Sequence, residues 1–129
     1  MGRREFDDRG VLSISFAIIF PAILLFVLLV VQAALFWYSQ SVALTAAREG
    51  ADAGRVLNGT DADARTRAQD FLDRFDGLLG TPTVSVPPRK PTDTTITVTV
   101  HIQPLLLLPG LDSLDVKQSV TMPIEQFVR

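Results

Sequence analysis

From Val11 to Tyr38 the chain carries no charged residue. A helix of about 28 residues at ~1.5 Å rise per residue is about 42 Å long, more than the ~30 Å hydrocarbon core of a bilayer. The stretch predicts one membrane-spanning helix, and it leaves only a small part of the 129 residues to fold in water. A cleaved secretory signal has an apolar region of about 7–15 residues, so this run is too long for one, although ALTAA downstream imitates a cleavage site.

The leader, Met1 to Gly10, sets Arg3, Arg4 and Arg9 against Glu5, Asp7 and Asp8. Lys and Arg near a span orient it more strongly than acids do. Arg48 and Arg55 follow the helix, so the bias is small and favours a cytoplasmic N-terminus. The expected division is a cytoplasmic leader at 1–10, a transmembrane helix at 11–38 and an extracytoplasmic domain at 39–129, held at the cell membrane by a single pass.

Charge narrows the partners. Twelve basic and 14 acidic residues nearly cancel and the pI is near 5.2, which argues against the basic surface that binds nucleic acid. There is no cysteine, hence no disulfide framework and no thiolate metal site.

Inside the span, Pro21 lacks a backbone N–H and frees a carbonyl one turn earlier, near Ala17, where Ser13 and Ser15 offer local hydrogen bonds. A kink or locally opened turn is one reading; an ordinary membrane-helix proline is the other. Gln32 is the one amide in the run. It either bonds a neighbouring helix or lies at the outer interface with Trp37 and Tyr38, and the second is the simpler reading.

Past the span, no breaker interrupts SQSVALTAAREGADAGRVL, so the helix is expected to continue into water. Val42, Ala46, Ala53 and Leu57 mark one stripe; Ala43, Ala47, Gly50 and Gly54 form a strip of small residues. Each glycine within a helix costs up to about 1 kcal/mol against alanine. Close packing on a sheet or a neighbouring subunit is a sufficient reason for them; the alternative is that one of them ends the helix. NGTDAD then reads as a turn, with Thr60 as N-cap and Asp63 in a capping box. Asn58-Gly59-Thr60 formally fits a glycosylation sequon, and turn chemistry accounts for it. Ala64, Ala68, Phe71, Leu72, Phe75, Leu78 and Leu79 follow at helical spacing, which predicts an amphipathic helix with a core-facing stripe.

After GLLGTP the period becomes two. TVSV is a short strand; TTITVTVHI alternates Ile96, Val98, Val100 and Ile102 against Thr95, Thr97, Thr99 and His101; and LDVKQSVTM alternates Leu114, Val116, Val120 and Met122, broken once by Gln118. The fold class expected is α+β, pilin-like: a long N-terminal helix, a second helix and a small antiparallel sheet of three or so strands. Leu105 to Leu108, fenced by Pro104 and Pro109, either cap the core of the sheet or form an exposed apolar patch against a partner or the bilayer.

Catalysis needs convergent titratable or nucleophilic groups. The one histidine, His101, sits among threonines on the polar face of a strand, and the acids are spread as helix-surface pairs. No metal-ligand spacing, phosphate-binding glycine loop or nucleophile elbow is present. The expectation is a protein that is not an enzyme, with no cofactor, no metal and no small-molecule substrate.

Gly10, Pro21 and AAREGA at Ala46–Ala51 stand in the order found in the TadE-like family, small pseudopilins of tight-adherence pilus systems, which the segment from Gly10 to Gly54 resembles. The resemblance covers about a third of the chain. It implies that a prepilin peptidase cuts between Gly10 and Val11 and adds pilin-like subunits to the membrane as partners; with the span residues and the small-residue strip read above, the candidate packing or subunit contacts are Ser15, Pro21, Gln32, Ala47, Arg48, Glu49, Gly50 and Gly54. The family has a glutamate at the fifth residue after the glycine, where its carboxylate pairs with the new amine in an assembled bundle. Here that place is Ser15, which cannot ionise. The function implied is a minor pseudopilin or membrane-held assembly accessory. The alternative is an uncut, single-pass envelope protein whose outer domain binds a ligand or partner.

Overall fold

A computed structural model describes residues 4–75, 77, 79–111 and 114–126. The elements in order are α1 (Arg4–Arg55), α2 (Asp61–Asp73), β1 (Thr83–Ser85), β2 (Thr95–Ile102) and β3 (Val116–Pro123). The strands form one antiparallel sheet in the order β1-β2-β3, so the architecture is the α+β arrangement expected.

Helix α1 is continuous over 52 residues and runs through Pro21 without interruption. At ~1.5 Å per residue it is about 78 Å long. Its two halves face different surroundings. Toward the N-terminus large apolar side chains are bare, with Val11 62%, Phe16 68% and Phe26 66% exposed. Farther on, Val42, Ala43, Ala46, Ala47 and Ala51 are buried, and these short side chains let neighbouring elements approach the helix axis closely. The stripe read from sequence holds at Val42 and Ala46 but not at Leu57, which is 51% exposed. The helix stops at Arg55, and the chain turns through Asn58 (φ 68°) and Gly59.

Helix α2 starts as its sequence predicts. Thr60 has extended backbone angles; its Oγ1 accepts the Asp63 N–H at 3.1 Å, and Asp63 Oδ2 accepts the Thr60 N–H at 2.9 Å. The Thr60 backbone N–H, seconded by its hydroxyl and by Arg89, holds the Asp63 carboxyl below the ordinary aspartate range. The folded pKa lies under the unfolded one, so the stabilisation is present above the unfolded pKa and is lost as pH falls through the folded value. Melting temperature is therefore expected to fall on acidification below about pH 4. Asp63→Asn, which keeps an acceptor but no titration, is expected to shrink that acid limb; thermal melts of both proteins in detergent at stepped pH read the difference.

The helix ends at Asp73, sooner than the periodicity predicts, and the Arg74 N–H closes on the carbonyls of Leu72 and Phe71. Phe75 and Leu79 follow in turns, and Leu78 lies outside the described residues. Gly77 and Gly80 take left-handed angles (φ 96° and 67°), and the redirected chain brings Leu79 into the core at 1% exposure. The ring of Phe75 stays near both helices, 5.2 Å from Phe71 and 6.1 Å from Tyr38 between centroids.

In the sheet, Ile96, Val98, Val100 and Ile102 point inward, all at 1% exposure or less, opposite Met122, Val120, Gln118 and Val116. The outer face zips through hydroxyls, Thr97 to Thr121 at 2.9 Å and Thr99 to Ser119 at 3.0 Å. Strand β3 begins at Val116, so Leu114 precedes it. Gln118, the break in the alternation, faces α1 and donates to Gln40 Oε1 at 3.2 Å. The leucines do not cap the core. Pro104 is buried, whereas Leu105, Leu106 and Leu107 are 47%, 37% and 38% exposed. The inward places at that end of the sheet are already held by Ile102 and Val116.

Candidate functional site

The residues singled out from sequence fall in two places along α1. Gly10, Val11, Ser15 and Pro21 lie exposed on its bare N-terminal part. A Cβ added at Gly10 meets nothing within 4 Å, so no contact among the described residues calls for glycine there. Gln32, three helical turns farther on, is only 3% exposed. Its Nε2 donates to the Leu105 carbonyl at 3.2 Å, and its Oε1 accepts the Leu107 N–H at 2.8 Å. Neither sequence reading of Gln32 included this partner: the amide binds a loop of its own chain. The packing of the domain thus begins within the 11–38 stretch, at Gln32 and Phe36.

The second place is the AAREGA segment. Ala46, Ala47, Gly50 and Ala51 are buried, and they form the surface on which α2 and β2 close. A Cβ at Gly50 would stand 2.8 Å from the Ala64 carbonyl oxygen, 3.0 Å from Ala68 Cβ and 3.2 Å from Val98 Cγ1; one at Gly54 would stand 2.8 Å from Ala64 Cβ and collide with Ile96 Cδ1. The two helices run antiparallel, so both glycines meet the first turns of α2. Glu49 reaches across to Arg67, with Nη2 at 3.1 Å and Nε at 3.2 Å. Both side chains are largely in water, so the pair contributes ~0–1 kcal/mol. Arg48 is exposed and makes no ion pair among the described residues.

The most connected polar group among the described residues is one to which no sequence pattern pointed. Arg89 donates from Nη1 to the Gly54 carbonyl at 3.1 Å and from Nη2 to the Gly59 carbonyl at 2.8 Å. Its Nε pairs with Asp61 Oδ1, and its backbone N–H donates to Asp61 Oδ2 at 3.0 Å. The last carbonyls of a helix have no intrahelical partner. At α1 the Gly54 carbonyl is taken by Arg89 and the Arg55 carbonyl by the Glu125 N–H at 2.8 Å. This guanidinium ties the end of α1, the turn and the start of α2 together, a structural role.

Two surface features remain. His101 Nε2 lies 3.4 Å from Asp115 Oδ2, with Lys117 as its cross-strand neighbour. Beside the open edge of β3, a groove of about 470 Å³ is lined by Trp37, Gln40, Ser41, Leu44 and Gln118. None of these five titrates near neutral pH or is an activated nucleophile, so the groove offers shape and hydrogen bonds, the chemistry of contact.

The fold and these surfaces define a class: an α+β domain built directly on one helix, the only one among the described residues long and apolar enough to cross a membrane, with mean hydropathy 3.1 over its most apolar window. Residues 10–52 match the family model described as TadE-like protein. The resemblance carried by Gly10, Pro21 and AAREGA is thereby shown over the N-terminal segment, and with the apolar helix it fits a membrane protein associated with tight-adherence pili. No curated protein and no solved structure matches the chain.

Proposed function

We propose that this chain is a minor pseudopilin or membrane-held accessory protein in the assembly of a tight-adherence pilus or secretion system, cut after Gly10 by a prepilin peptidase. Its N-terminus lies in the cytoplasm and its domain outside, and it works by contact with other pilin-like subunits, without catalysis or cofactor.

The observation that carries the reading is Gly10. It sits inside a helix with open space around its missing side chain, where alanine would favour the helix by about 1 kcal/mol. Gly50 and Gly54 have packing reasons; Gly10 has none among the described residues. A peptidase needs an extended backbone at the bond it cuts, and glycine lowers the cost of leaving the helix there. Ser15 gives the new amine at Val11 no carboxylate at the family position, so pairing of that amine in an assembly falls to a neighbouring subunit.

Intact mass and N-terminal sequencing of the protein from its native membrane test this. A mature chain beginning at Val11 is expected. Gly10→Ala is expected to leave the domain folded and the leader uncut. A wild-type chain that retains Gly10 would overturn the processing step and make this a permanent single-pass anchor.

A further inference from the structure

We propose that the loop from Gln103 to Gly110 is a second membrane contact, its leucines inserted at the bilayer boundary on the domain side, with Gln32 as the latch that holds it there. The inference rests on the reading of α1 as a membrane span. It does not depend on cleavage, orientation or pilus assembly.

Three features of α1 fix the level of that boundary. The charge-free run opens at Gly10, after Arg9. From Val11 to Gln32 the helix rises about 32 Å, the thickness of the hydrocarbon core. Trp37, 79% exposed, stands about 8 Å beyond Gln32, at the depth where aromatic side chains gather among headgroups. The loop is bonded to α1 at Gln32, so its leucines lie where acyl chains give way to headgroups.

The chemistry of the loop suits that level. QPLLLLPG holds no charge, and three of its leucines are over a third exposed. Irregular backbone survives next to lipid only if its polar groups find partners inside the protein. Pro104 and Pro109 have no N–H to satisfy, and the Gln32 amide takes the Leu105 carbonyl and the Leu107 N–H, using both of its own ends. The bilayer is favoured over a second protein because the loop continues the bare apolar surface of the helix it is tied to.

The absence of cysteine permits a direct test. The full chain, carrying an environment-sensitive fluorophore at Leu106→Cys, Val27→Cys or Thr92→Cys, is reconstituted at low protein-to-lipid ratio in phosphatidylcholine vesicles that contain lipid spin-labelled high on the acyl chain. Emission at 106 is expected to fall roughly twofold or more on adding the labelled lipid and to resist aqueous iodide, as at 27, whereas 92 responds to iodide alone. Gln32→Leu, which keeps the span apolar, is expected to reduce lipid quenching at 106 and leave it unchanged at 27. Iodide quenching at 106 with lipid quenching at 27 would overturn the inserted loop and leave the span intact. Protection of 106 from both quenchers would also overturn it, in favour of a covering protein. Lack of lipid quenching at 27 would instead remove the span reading and this proposal with it.

Discussion

Gly50→Leu is expected to unfold the domain that follows the membrane span, lowering its stability by more than about 3 kcal/mol, a large share of the ~5–10 kcal/mol typical of a domain this small. The nearest atom to an added Cβ is the Ala64 carbonyl oxygen at 2.8 Å. That oxygen belongs to the backbone of α2, which cannot rotate away as a side chain does. The smaller Gly50→Ala sets two effects against each other. Alanine favours the α1 helix by about 1 kcal/mol, but α2 must shift outward, so a net loss of about 1–3 kcal/mol is expected. Thermal melts in detergent, followed by circular dichroism, read both variants. A rise in melting temperature for Gly50→Ala would show that the helices have room to spare.

Arg89→Met is the second large effect. Methionine keeps most of the apolar stem and removes the guanidinium, leaving the Gly54 and Gly59 carbonyls without that donor and Asp61 Oδ1 without its cation, while the backbone N–H of residue 89 still donates to Asp61 Oδ2. Arg89 is 17% and Asp61 29% exposed at the side chain, so water replaces these bonds only in part, and a loss of about 2–4 kcal/mol is expected. Arg89→Lys is expected to recover less than half of it, because an ammonium cannot address three acceptors spread over a planar fork. Denaturant titration of the three proteins checks the order. Equal stability of the Met and wild-type chains would show that the fork holds nothing together.

What the sequence made readable was local. The Thr60–Asp63 capping box needs only four consecutive residues, and the alternation of β2 needs only one buried face, so both appear where the pattern puts them. The long apolar run needs no partner to be recognised. Contacts between distant parts of the chain left no such trace. Gln32 meets Leu105 across 73 positions and Arg89 meets Gly54 across 35, and neither residue carries a pattern that names its partner. Gln118 looked like a fault in β3 because its inward partner, Gln40, lies on another element. Leu79 was placed in the core for the wrong reason: its spacing suited a longer α2, whereas two left-handed glycines deliver it from a turn. The small residues of AAREGA signalled close approach, and only the fold shows that α2 and β2 are what approach them.

The continuity of α1 has a mechanical meaning. Anchor and domain share one helix without a hinge between Gly10 and Arg55, so displacement at one end is imposed on the other. Each residue drawn out of the bilayer lifts the domain by about 1.5 Å, and each residue of screw motion turns it by about 100°. A force applied to the domain therefore reaches the membrane as axial pull and torque, undiluted by any flexible linker.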